Sequence, residues 1–135
     1  MAFGDVNKVH KALEDGADVN GFVTRRGVTF TPLIRAARAG RETIITILLE
    51  AGANPDLTGQ VSMLAFSTTP LIMAAKQGRQ EAVKLLLRAG ANPQATVQTP
   101  FHRSKGWNAL QFAKDAGHTE IVNLLKAAMS RRASG

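Results

Sequence analysis

"TPLIRAARAG" at residues 31–40 returns as "TPLIMAAKQG" at 69–78 and, more loosely, as "NALQFAKDAG" at 108–117. Each copy is followed by a second block: "RETIITILLEAGAN" at 41–54, "RQEAVKLLLRAGAN" at 79–92 and "HTEIVNLLKAA" at 118–128. A shortened copy, "GDVNKVHKALEDGADVN", stands at 4–20. From Gly4 to Gly16, Gly40 to Gly52 and Gly78 to Gly90 the spacing is always 12. Self-similarity held in register over units of this size is the mark of a repeat architecture, in which each unit buries its apolar face against its neighbours.

One unit can be read residue by residue. The Thr31 hydroxyl suits a helix N-cap, and Pro32 suits the first helical position, where its missing N–H would have had no partner. Ala36 and Ala37 are small enough to let another helix come close. Gly40 stops the helix by taking a left-handed backbone state. A second helix follows, with Ile44, Ile45, Ile47, Leu48 and Leu49 as a broad apolar stripe, and Gly52 ends it. Each unit is therefore two short antiparallel helices and a connector.

This pattern, "TPL", "AA", "G", "LL", "GA" in order, resembles the ankyrin repeat over nearly the whole chain. The resemblance implies an all-α solenoid: an ankyrin repeat stack of about four helix-turn-helix repeats, the first truncated, with extended β-hairpin fingers. It also implies a concave groove of the kind that binds other proteins. Two departures stand out. The His that the family places after "TPL" is replaced by Ile34, Ile72 and Gln111, so its polar contacts are expected to be absent. The family period is about 33 residues, whereas Gly16 to Gly52 is 36, Gly52 to Gly90 is 38 and Thr69 to Asn108 is 39.

The helical blocks keep their length, so the excess lies in the connectors, 21–30, 56–68 and 94–107. They are rich in Val, Thr and Phe, which suits extended hairpins, and Gly27, Gly59 and Gly106 are available for turns. Five aromatics sit there: Phe22, Phe30, Phe66, Phe101 and Trp107. Trp107, just before a helix start, reads as hairpin packing; Phe66 and Phe101 read as contact residues.

Aligning the units places Lys8 and Lys11 where Ile44 and Ile47 stand, Lys126 where Leu49 stands and, on the first helices, Lys114 where Ala37 stands. Polar outer faces of this kind suit terminal repeats. The expected organisation is a repeat domain over 1–129, with units near 1–20, 21–56, 57–94 and 95–129, and a basic, disordered tail over 130–135. "RRAS" at 131–134 matches an arginine-directed kinase pattern with Ser134 as acceptor, or is simply a basic tail.

The 135 residues carry no cysteine, hence no disulfide or thiolate metal site. The N-terminus lacks the apolar core of a signal peptide, and "IITILL" is far too short to span a bilayer. A soluble, intracellular chain, cytoplasmic or nuclear, is expected. His10, His102 and His118 have no second ligand at metal spacing. There is no nucleophile elbow and no phosphate-cradling glycine loop. No enzyme activity, metal or cofactor is expected.

The formal charge is +7, from 17 Lys and Arg against 10 Asp and Glu. Its distribution is uneven. Residues 21–39, 57–77 and 95–116, which span nearly all of the connectors and the first helices, hold eight cations (Arg25, Arg26, Arg35, Arg38, Lys76, Arg103, Lys105 and Lys114) against Asp115 alone, while the rest of the chain balances nine with nine. If the fold is as read, the whole excess falls on fingers and groove. The expected function is a protein–protein interaction module that lays an acidic, extended partner segment across a basic groove. The expected contact residues are Arg25, Arg26, Arg35, Arg38, Lys76, His102, Arg103 and Lys105 for charge, with Met63, Phe66, Met73 and Phe101 for apolar contact. The alternatives are nucleic-acid or anionic-lipid binding by the same face, and a passive scaffold segment of a larger protein.

Overall fold

The computed structural model describes residues 5–26, 28–60, 67–99 and 103–134. Among the described residues there are seven helices, with strand pairs between α1 and α2 and between α3 and α4. The first helices of the units are α2 (Pro32–Ala39), α4 (Pro70–Lys76) and α6 (Ala109–Ala116). The second helices are α1 (Val6–Glu14), α3 (Glu42–Glu50), α5 (Gln80–Arg88) and α7 (Thr119–Ser134). The first helices pack in one row, α2 on α4 on α6, and the second helices in another, α1 on α3 on α5 on α7. This is the all-α repeat stack expected from the sequence.

The helix boundaries follow from local chemistry. Thr31 Oγ1 accepts the Ile34 N–H at 3.2 Å, and Thr69 Oγ1 accepts that of Ile72 at 3.2 Å. Thr69 is only 3% exposed, so its hydroxyl is the acceptor that this N–H would otherwise lack. Thr69→Ala should therefore lower stability by about 1–2 kcal/mol, measured by urea unfolding, and Thr69→Ser should retain most of it. The third unit differs. Asn108 Oδ1 accepts the Gln111 N–H at 3.1 Å, while Gln111 Oε1 accepts the Asn108 N–H at 2.7 Å. The expectation that position 111 lacks a polar contact is thus corrected: an amide three residues into a helix reaches back to its N-cap and closes a capping box.

Gly40 and Gly78 take φ of 70° and 74°, and each also has a neighbour from the next repeat against it. A Cβ on Gly40 would lie 2.8 Å from Arg79 Cδ, and one on Gly78 would lie 2.8 Å from His118 Cε1. Arg79 Nε also donates to the Arg38 carbonyl at 3.2 Å, giving the end of α2 a cationic partner. Met129 stands where the other second helices have glycine, so α7 meets no stop signal and continues to Ser134. The described part of the tail expected over 130–135 continues this helix.

The core is continuous through the stack. Leu33, Ile34, Ile45, Leu48, Leu71, Ile72, Val83, Leu86 and Leu125 are all essentially inaccessible. Ala36, Ala37, Ala74, Ala75 and Ala113 are fully buried, which is the close helix approach their size predicts. Lys8, Lys11, Lys114 and Lys126 are exposed.

Polar ties also join the units. Asn20 Oδ1 accepts the Asn54 N–H, and Asp56 Oδ1 accepts the Asn92 N–H, each at 2.8 Å. The loops that follow successive second helices are thereby linked side chain to backbone.

The connectors build a small antiparallel sheet of order β1-β2-β3-β4, with β1 Val23–Arg25, β2 Val28–Phe30, β3 Gly59–Gln60 and β4 Ser67–Thr68. Adjacent fingers join through Thr29 and Gln60. Gly59 is not a turn residue as expected. It lies within β3, where an added Cβ would meet Ile34 Cδ1 at 2.8 Å, the Thr29 carbonyl oxygen at 2.9 Å and Phe30 Cα at 3.0 Å. The third connector is held by single bridges, Ser67 with Gln98 and Thr96 with Asn108, and by the buried Val97 and Ser104. Gly106, at φ 77°, does serve a turn.

Candidate functional site

Alignment of the first helices puts Arg35, Met73 and Phe112 in one row, and Arg38, Lys76 and Asp115 in the next. The rows change character along the stack. Arg35 is half-buried and Arg38 exposed, whereas Met73 and Phe112 are 4% and 6% exposed. Met73 is therefore a core residue rather than the apolar contact expected of it, because an unbranched apolar side chain on this row packs inward.

The basic end of these rows forms a cleft of about 720 Å³ between the first finger and α2. Arg25 and Arg26 enter it from the hairpin, Arg35 and Arg38 from successive turns of the helix, over a floor of Val28, Phe30 and Ile34. The Arg35 guanidinium carbon sits 5.5 Å from the Phe30 ring centroid, so the ring holds that cation by its face. No described residue lining the cleft is acidic. Among the described residues, Arg25, Arg26 and Arg38 form no ion pair.

The other end is electrostatically different. Arg103 Nη2 lies 3.2 Å and 3.1 Å from the two Asp115 carboxylate oxygens, and its guanidinium carbon stands 5.1 Å from the Trp107 ring centroid. The expected finger cation is thus partnered within the chain. The pair was hidden because it depends on how the third connector folds back over α6. The contact is exposed, at 66% and 43% for the two side chains; it adds little stability, but it offsets the local charge. Trp107 also meets Phe112 edge-on at 5.2 Å, the packing role expected of it. Lys76 Nζ is 5.6 Å from the Phe112 ring centroid. Lys105 is exposed in the turn after Arg103.

Met63, Phe66, Phe101 and His102 lie outside the described residues. Ser134 ends α7, so the "RRAS" motif lies on helical backbone. His10 is exposed, and His118 packs on Gly78. Phe22 is the exposed large apolar residue of the described chain, at 57%, and it borders a separate hollow beside Thr29 and Gln60. Among the described residues no cluster of His, Asp or Glu could hold a metal ion, and no helix is long and apolar enough to cross a membrane.

Comparison with known proteins agrees with this architecture. Residues 59–132 match a family model described as ankyrin repeats in three copies, and residues 30–60 match a single ankyrin repeat. A stretch of 52 residues is 46% identical to the 2-5A-dependent ribonuclease of Mus musculus, covering 38% of this chain and 7% of that protein. The chain thus parallels a small part of that relative. With the repeat unit, the two helix rows, the fingers and a family match over more than half its length, the chain belongs to the ankyrin repeat family.

Proposed function

We infer that this ankyrin stack binds an acidic, extended segment of a partner protein in the cleft between its first finger and α2. A general protein–protein interaction role is typical of the family, whose repeats are binding scaffolds rather than catalysts. The finer reading rests on one observation: four arginines from two different elements line one cleft, and none of its described lining residues is acidic. Grouped like charges repel one another, and an anionic ligand removes that cost while its approach is steered by the same field. Arginine suits the task because its planar fork holds a carboxylate through two parallel hydrogen bonds.

The binding charge is assigned to Arg25, Arg26, Arg35 and Arg38 because they line the one cleft, with Lys76 on the next helix of the row, while the Arg103 charge is offset by Asp115. Nucleic acid is disfavoured by the described rings nearest the groove cations, although Phe22, away from them, is exposed. Single-strand binders offer open ring faces for base stacking. Here Phe30, Phe112 and Trp107 each carry a cation over a face and are buried or half-buried.

Arg35→Glu with Arg38→Glu should abolish binding of a fluorescein-labelled Asp/Glu-rich peptide, followed by fluorescence polarisation, and leave the melting temperature near wild type. The assignment fails if the reversed protein binds that peptide as before. It fails equally if generic DNA, RNA or acidic vesicles bind the wild type more tightly and with a steeper salt dependence.

A further inference from the structure

Arg26 is the one described non-glycine residue with a positive φ, 52°. It opens the two-residue connection between Arg25 and Val28, which pair across the first hairpin. Such connections favour Asn followed by Gly, because the first residue must enter the left-handed region and Asn does so at lower cost than a long side chain. The sequence has the glycine, Gly27, but places arginine where asparagine would serve the turn better. Backbone strain of this kind is held where the side chain has another use. Here the side chain lines the four-arginine cleft.

The amount of charge matters as well. A single carboxylate accepts one guanidinium fork and carries one negative charge. A phosphate monoester carries close to two, and its three terminal oxygens can accept from two guanidiniums at once. This cleft is lined by two arginines from the finger and two from the helix, more positive charge than a single carboxylate matches. Arg35 is steadied over the Phe30 ring. A cation held in place loses less side-chain freedom when an anion arrives.

We propose that the cleft formed by Arg25, Arg26, Arg35 and Arg38 recognises a phosphorylated serine or threonine on the partner segment, so that phosphorylation of the partner switches its binding on. This rests on the acidic-segment reading above and narrows it. Phe30 and Ile34 form an apolar floor for the residues beside the phosphate, and Arg26 is the residue whose position the fold itself does not require.

The test uses the full chain and three oriented peptide libraries that share one degenerate background, with a central phosphoserine, glutamate or serine. The phosphoserine library should be retained about tenfold more than the glutamate library. Inorganic phosphate should compete with it. Arg26→Asn should erase that preference while leaving the melting temperature unchanged or raised, which a purely structural role for Arg26 would not produce. Equal retention of the phosphoserine and glutamate libraries overturns the phosphate assignment but leaves the acidic groove standing. Retention of neither overturns both. Tighter binding of a 5′-phosphorylated oligonucleotide than of the phosphoserine library also overturns the proposal. An Arg26→Asn protein that keeps the phosphoserine preference also overturns the proposal, because Arg26 is then no part of the site.

Discussion

Replacing Leu48 by alanine should lower the free energy of unfolding by about 2–5 kcal/mol. Leu48 is wholly inaccessible and lies on α3, whose row neighbours are α1 and α5. Truncation removes the transfer energy of the lost carbons and leaves a cavity. That cavity cannot close easily, because Ile44, Ile45, Val83 and Leu86 in the same cluster are themselves fixed by burial. Position in the stack sets the form of the loss. Each unit of a solenoid is stabilised chiefly by the units beside it, so damage at α3 weakens two interfaces together. Leu125 is the matched control, since it is equally buried but lies on α7, the last helix of its row. Leu125→Ala should fray α6 and α7 at denaturant concentrations that leave α3 and α5 protected, whereas Leu48→Ala should lower protection throughout. Urea unfolding with native-state hydrogen exchange reads both. A cost below about 1 kcal/mol at Leu48, or identical exchange patterns for the two variants, would show that the stack does not transmit stability between neighbours.

The contrast between legible and hidden features follows sequence distance. Thr31, Pro32 and Gly40 act within one helix, so cap, first turn and stop can all be read from a stretch of ten residues. The alanine pairs are legible because Ala36–Ala37 recurs as Ala74–Ala75, with Ala113 again at the first position, where only a close neighbour explains them. Gln111 is equally local: it stands where the family has an imidazole, and the Asn108–Gln111 spacing is itself a capping-box signal. The continuation of α7 was equally readable, from Met129 at the position of a helix-ending glycine. By contrast, the Asn20–Asn54 and Asp56–Asn92 ties join residues 34 and 36 apart. They depend on the exact offset between units, which the variable connectors conceal.

The charge pattern was readable in sum and not in detail. Counting by segment assigned the surplus cations to fingers and first helices, but counting cannot tell an arginine lining a cleft from one beside an aspartate. Arg103 and Asp115 are 12 positions apart and meet only because the third connector turns back over α6. Arg26 and Arg38 are also 12 positions apart and line the same cleft with no described acid between them. On the function proposed above, the partner segment should therefore depend more on the first finger and α2 than on the Arg103 turn.

Gly59→Ala should damage stability and the cleft together, with a loss of about 1–3 kcal/mol and a weaker hold on the acidic peptide. Two of the atoms that an added methyl would meet, the Thr29 oxygen and Phe30 Cα, belong to the backbone of β2, and the third belongs to the buried Ile34. None is the loose end of a surface side chain, so relief requires β3 to move away from β2 at the Thr29–Gln60 pairing. Phe30 and Ile34 are also the floor of the four-arginine cleft, and a shift there displaces the ring that holds Arg35. Gly52→Ala separates backbone strain from this crowding. Gly52 has φ 95°, yet a Cβ there would meet nothing within 4 Å. That variant should lose about 1 kcal/mol or more through the left-handed backbone alone while binding the peptide normally. If Gly59→Ala instead keeps wild-type exchange at Thr29 and Gln60 and binds as tightly as Gly52→Ala, the second finger does not brace the cleft, and the site belongs to the first finger and α2 alone.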